Sequence, residues 1–287
     1  MIRHLILPAF EVINSLVIFL DISSRIKLAF GGQYKIIYFY DLLLNCIENT
    51  SNNHGNSITT IAIKKNSPTH LLSSSHDRSI HVWSLVENKL ISIISDSRAH
   101  TDSISALDIS NCNKYIFSGG FDCHLVVWFV GNLMGKTFVE RKVKNEIFFK
   151  NFLIINETID QIKIISNYLI IKFSDQSIVL SSFETISDHN FSVKPIRVIN
   201  YTSGVMWFIK SDIQIINKYI VISVPLTDHK VKLLFMCLQE EDEDEIITFD
   251  ADEVVHSLCF LDKNLFYAYG SSGSVRIFAC KLSVNEY

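Results

Sequence analysis

Apolar residues along this chain fall in short blocks, separated by small clusters of Gly, Ser, Asn and Asp. Ile80-His81-Val82-Trp83 and Leu125-Val126-Val127-Trp128 are two such blocks. Their content of Ile, Val, Phe and Tyr predicts β-strands joined by tight turns. The blocks also repeat. Ser75-His76-Asp77-Arg78-Ser79-Ile80-His81-Val82-Trp83 aligns without a gap on Gly120-Phe121-Asp122-Cys123-His124-Leu125-Val126-Val127-Trp128, 45 positions further on throughout. Upstream, His54 and His100 repeat 46 positions apart. Weaker copies run over Gly31 to Tyr40, Ser174 to Leu180, Asp228 to Phe235 and Gly270 to Phe278, so repeat ends fall near 40, 83, 128, 181, 235 and 278.

A period of about 40 to 45 residues, with a His near the start and a Trp at the end, is the WD40 signature, each repeat supplying a four-stranded antiparallel blade. The expectation is an all-β WD40 β-propeller with six recognisable blades. It is either a six-bladed ring or a seven-bladed one with a blade missing, in a single domain over 1–287. The blades are drawn at about 1–45, 46–90, 91–135, 136–185, 186–240 and 241–287. Buried polar groups need partners, and two tetrads supply them: His54, Ser73, Asp77 and Trp83, then His100, Ser118, Asp122 and Trp128.

Composition narrows the function. At 48% hydrophobic and 20% charged, the chain buries a large core. A net charge of −4 argues against wrapping nucleic acid, because phosphate binding needs clustered Lys and Arg. Six acidic residues in succession, Glu240 to Glu245, form an inter-blade loop that could attract a basic partner in a salt-sensitive way. Six dispersed cysteines without a C-x-x-C read as free thiols of a reducing compartment. The apolar stretch Leu5 to Leu20 is interrupted by Pro8, Glu11, Asn14 and Ser15, short of the roughly 18 to 20 residues needed to span a bilayer. A soluble intracellular protein is expected. No nucleophile elbow, H-E-x-x-H, Walker loop or dinucleotide fingerprint is present, so neither an enzyme nor a cofactor is expected. His76 and His81 flank Asp77, but strand alternation puts His81 on the surface and metal-spaced partners are missing, so no metal site is expected.

The stretch His54-Gly55-Asn56-Ser57-Ile58, followed by Pro68-Thr69-His70-Leu71-Leu72-Ser73-Ser74-Ser75-His76-Asp77, resembles the EED/extra sex combs family, the WD40 subunits of Polycomb repressive complex two. Ala99-His100-Thr101-Asp102-Ser103-Ile104 through Trp128 is similar to that family's next blade, and the likeness extends over about 26–280. The resemblance implies a nuclear, non-catalytic scaffold of a histone H3 methyltransferase complex. Its partner would be an enhancer-of-zeste-type SET-domain methyltransferase, with a trimethyl-lysine of the histone H3 tail held in an aromatic cage. Aromatic faces suit a quaternary ammonium, which has no N–H to donate. Trp207 and Phe208 match the family's cage pair, Phe10 is a third candidate, and Asp160, Lys210 and His256 match pocket-lining positions. The family's first blade has no counterpart here and its second-blade cage Tyr aligns with Asn14, so the cage is expected to be degenerate.

Other readings stand beside these. Trp207 and Phe208 lie in an apolar run where one neighbour points into the core. Lys210 and His256 would serve equally as solvated surface, and Asp160 as a turn cap. The alternative function is a general WD40 scaffold in ribosome maturation, RNA processing or ubiquitin ligation.

Overall fold

The computed structural model describes residues 12–44, 46–63, 69–87, 89–97, 99–112, 114–130, 147–149, 157–187, 190–200, 211–216, 219–226, 229–237, 245–250, 255–260, 265–270 and 275–279. Those residues are strands and turns, and no helix among them is long and apolar enough to cross a membrane. They form two compact units, 1–175 with 179–198, and 199–287 with 176–178.

The first unit carries four antiparallel sheets. The first holds β1 (Ile13–Leu20), β2 (Ile26–Gly32), β3 (Ile36–Asp41) and β4 (Cys46–Asn52), and the second holds β5 (Ile58–Ile63), β6 (His70–Ser75), β7 (Ile80–Ser84) and β8 (Lys89–Ile94). The third holds β9 (Ile104–Ile109), β10 (Tyr115–Gly120), β11 (Leu125–Phe129) and β12 (Ile147–Phe149). The fourth holds β13 (Ile159–Ile165), β14 (Tyr168–Phe173), β15 (Ser177–Ser187) and β16 (Asn190–Asn200). Each strand pairs with the next in sequence. First strands adjoin one another, β1 on β5, β5 on β9 and β9 on β13, as in a propeller. The second unit holds a sheet of β17 (Asp212–Ile216), β18 (Tyr219–Pro225), β19 (Lys230–Cys237) and β20 (Glu245–Asp250). Beside it lies a three-stranded sheet of β21 (Val255–Phe260), β22 (Leu265–Gly270) and β23 (Val275–Ala279).

This is the all-β WD40 propeller architecture, with one correction to the blade number. Five blades are complete rather than six, because the last sheet has three strands among the described residues. The sequence repeats and the sheets are also out of phase by one strand. The repeat over 46–90 opens on β4, which pairs with β3 and closes the preceding sheet.

Packing is face to face. Ala29, Ile37 and Phe39 of the first sheet meet Ile58, Leu71 and Trp83 of the second. Ala62, Leu72 and Val82 meet Ile104, Ile116 and Trp128 across the next interface. Tyr115, Phe117 and Val127 meet Ile159, Ile162 and Leu169 across the third. Sheets covered on both faces bury every residue of a strand, and β7, β9 and β10 are buried throughout. Gly119 permits the third approach, since a Cβ there would collide with Ile159.

One turn template recurs. Gln33, His76, Phe121 and Ser174 each donate their amide to a backbone oxygen just before the first strand of their sheet: Val12, Ser57, Ser103 and Thr158, at 2.9–3.1 Å. Two residues after each donor comes a left-handed residue: Lys35, Arg78, Cys123 and Gln176, at φ 60–70°. His229 adopts the same conformation in the second unit.

Candidate functional site

The polar residues of the second and third sheets form two directed relays. In the second, Trp83 Nε1–H donates to Ser73 Oγ at 2.9 Å, and Ser73 Oγ lies 2.8 Å from His54 Nε2. A hydroxyl that accepts from the indole turns its own proton to the imidazole, so Nε2 accepts and Nδ1–H donates to Asp77 Oδ2, 2.9 Å away. Asp77 also accepts from the amides of Gly55 at 2.7 Å and Ser79 at 2.9 Å. Burial works against its charge, but the bonds from His54 and Ser79 outweigh it and hold the carboxyl well below the usual range. The third sheet repeats the chain: Trp128 to Ser118 at 2.7 Å, Ser118 to His100 at 2.8 Å and His100 to Asp122 at 2.9 Å. Asp122 is likewise held low against its burial by His100 and backbone amides.

His81 departs from expectation. It is buried, 2% exposed, because both faces of β7 are covered, and its ring stacks on His54 at 3.6 Å with 12° between planes. His54, Asp77 and His81 thus offer three ligand-type atoms within 4.8 Å. Near-parallel rings, however, cannot both point an in-plane lone pair at one ion, so the group is a hydrogen-bonded stack and not a metal centre.

A second set of positions lies at the entry of the first strands. Register shifts mark bulges at Asn14 on β1, Thr59 on β5 and Asp160 on β13, at Ser105 opposite the Gly119–Gly120 step, and at His256 on β21. Asn14 donates its side-chain amide to Ile58 O at 2.7 Å, Thr59 its hydroxyl to Ile104 O, and Ser105 its hydroxyl to Ile159 O. Each of the three clasps the next sheet. Asp160 has no proton to give, and its Oδ2 instead pairs with Lys172 Nζ at 3.3 Å, both residues 4% exposed. Burial pushes the Lys172 ammonium down, opposed by Asp160. Thr59 and Ser105 were missed by sequence reasoning, although the recurring steps Ile58-Thr59, Ile104-Ser105, Ile159-Asp160 and Val255-His256 carry the signal. The structure places Asp160 and His256 at the same position of different sheets and commits Asn14 to structure. Trp207, Phe208, Phe10 and Lys210 lie outside the described residues.

The stacked sheets and the paired relays define a WD40 β-propeller, and the WD domain, G-beta repeat family matches residues 45–84 and 90–128. Within that class its sequence relatives include a Polycomb WD40 protein. The chain is 22% identical to the Polycomb protein esc of Drosophila melanogaster over 210 residues, 66% of this chain and 49% of that protein, so it spans about half the length of this relative. In fold it is similar to a chain of the humanized mutant Chaetomium thermophilum Polycomb Repressive Complex 2 bound to the inhibitor GSK126. That likeness has a TM-score of 0.66 at 16% identity, over 79% of this chain and 56% of that one. The RRP9 WD40 repeats are similar at TM-score 0.68 and 15% identity, over 97% of this chain and 79% of that one.

Proposed function

We propose that this protein is the non-catalytic WD40 scaffold of a Polycomb-type histone H3 methyltransferase complex in the nucleus, bound to an enhancer-of-zeste-type SET-domain subunit. The observation that carries this reading is the sequence likeness to esc over 210 residues, beside the WD-repeat match over both relay-bearing repeats. The second part of the reading is a degenerate methyl-lysine pocket. Trp207, Phe208 and Phe10 are its candidate walls, and Asp160, Lys210 and His256 its candidate lining. Asn14 at the clasp and Lys172 beside Asp160 support degeneracy, since they leave Asn14 and Asp160 committed to internal partners. All of 1–287 acts as one propeller in this reading, the acidic run 240–245 being a loop that can meet a basic tail.

Affinity capture of the tagged full chain from nuclear extract tests the scaffold. A SET-domain methyltransferase among the recovered proteins supports it, and recovery of ribosomal, RNA-processing or ubiquitin-ligase proteins in its place overturns it. Calorimetric titration with trimethylated and unmodified histone H3 peptides tests the pocket separately. Weak binding with a small preference for the trimethylated peptide is expected; equal binding of both rejects the cage and leaves the scaffold standing.

A further inference from the structure

The second and third sheets share one plan, and at the position of Val126 in the third sheet the second carries His81. The His81 ring is enclosed. Ser73 of β6 and Ile93 of β8 lie opposite it in the ladders, and His54 stacks on its face. Its Nδ1 is buried without a hydrogen-bond partner among the described residues. The ionisable groups acting on it are His54, from the segment before β5, and Asp77, from the β6–β7 turn. Asp77 already accepts from His54 and from the amides of Gly55 and Ser79. A proton on His81 would place a charge in this enclosure, with no acceptor among the described residues beside Nδ1 to pair it. We propose that His81 is an acid-sensitive latch: on taking up a proton it releases β7 from the second sheet, while the third sheet, with Val126 in its place, stays closed.

Burial first, and His54 second, push the His81 imidazole down to about 3, with Asp77 opposing. The opened strand regains the ordinary value of 6.5. Below about pH 6.5 the open form therefore takes up a proton that the closed form refuses, and the closed form loses ground continuously down to about pH 3. Between pH 7 and pH 5 the opening constant rises by about 25-fold on these values.

Hydrogen exchange of the full chain at pH 7 and pH 5, corrected for intrinsic exchange, reads this directly. In the wild type, protection of Ile80–Ser84 is expected to fall by about 25-fold and that of Leu125–Phe129 by less than about threefold. His81→Val, which borrows the residue of the sister repeat, should abolish the fall, and His81→Leu serves if the valine variant fails to fold. Protection of β7 that holds to within about threefold in the wild type overturns the proposal. So does an equal fall in the variant, or a His81 Cε1–H resonance that titrates near 6.5 in the folded chain.

Discussion

The first and third sheets of the first unit solve the same packing problem with opposite chemistry. The third closes its turn with a relay from Trp128 through Ser118 and His100 to Asp122. In the first sheet the corresponding places hold Phe30, Tyr34 and Tyr40; Phe30 stacks on Tyr38 at 5.1 Å, and Phe30 and Tyr40 are buried. Even so, both sheets share the turn-to-entry backbone bond and the left-handed residue two positions on. The fourth sheet has Ile171 where the third has Ser118, and it too keeps that backbone template. The template therefore belongs to the backbone, and the relay is one of several ways of filling the space between sheets. A buried relay is costly to leave half-made, whereas an aromatic filling is only costly to hollow out.

Five single substitutions and one double substitution break or sharpen this comparison, all read by denaturant midpoints. Trp128→Ala and Phe30→Ala should each cost about 3–5 kcal/mol, since both empty a fully buried site whichever chemistry surrounds it. Lys172→Met should cost about the same, roughly 3–5 kcal/mol, by leaving the Asp160 carboxylate buried without its cation, and adding Asp160→Leu should recover most of that loss. Ser118→Ala should cost about 1–3 kcal/mol, because both Trp128 Nε1–H and His100 Nε2 lose their partner. Arg78→Gly sits at the small end. It relieves a left-handed residue on an exposed turn and should raise stability by at most about 1 kcal/mol. If Ser118→Ala proved as costly as Trp128→Ala, the relay would be the main support of its sheet, and the comparison would fail.

How much of this was readable from the chain follows the same division. The relay needs His, Ser, Asp and Trp at fixed spacing, so the second and third repeats stand out as letters. The first and fourth use apolar substitutes that any strand could carry. Outer strands left the weakest trace: β8 is mostly half-exposed with no clean alternation, and β4 was assigned by its repeat to the wrong sheet. Alternation itself misled at His81, because it presumes one wet face. It holds on β1, where Val17 and Phe19 turn inward and Leu16, Ile18 and Leu20 stay exposed, but fails on β7, covered on both faces. At the site, Asp160 and His256 were named through family resemblance, and their bulged position became plain only from the strand registers. Lys172 had no signal at all, since its pairing runs across two strands rather than along one.

We have proposed that this propeller supports a methyltransferase complex without catalysing methylation. The most direct test of that claim is reconstitution. The full chain is co-expressed with the enhancer-of-zeste-type SET-domain subunit of the same source, and histone H3 methylation is measured with and without it. The account predicts co-elution of the two proteins and methylation that depends on adding the chain, with no transfer by the chain alone. Separate elution, with methylation indifferent to its presence, would contradict the account.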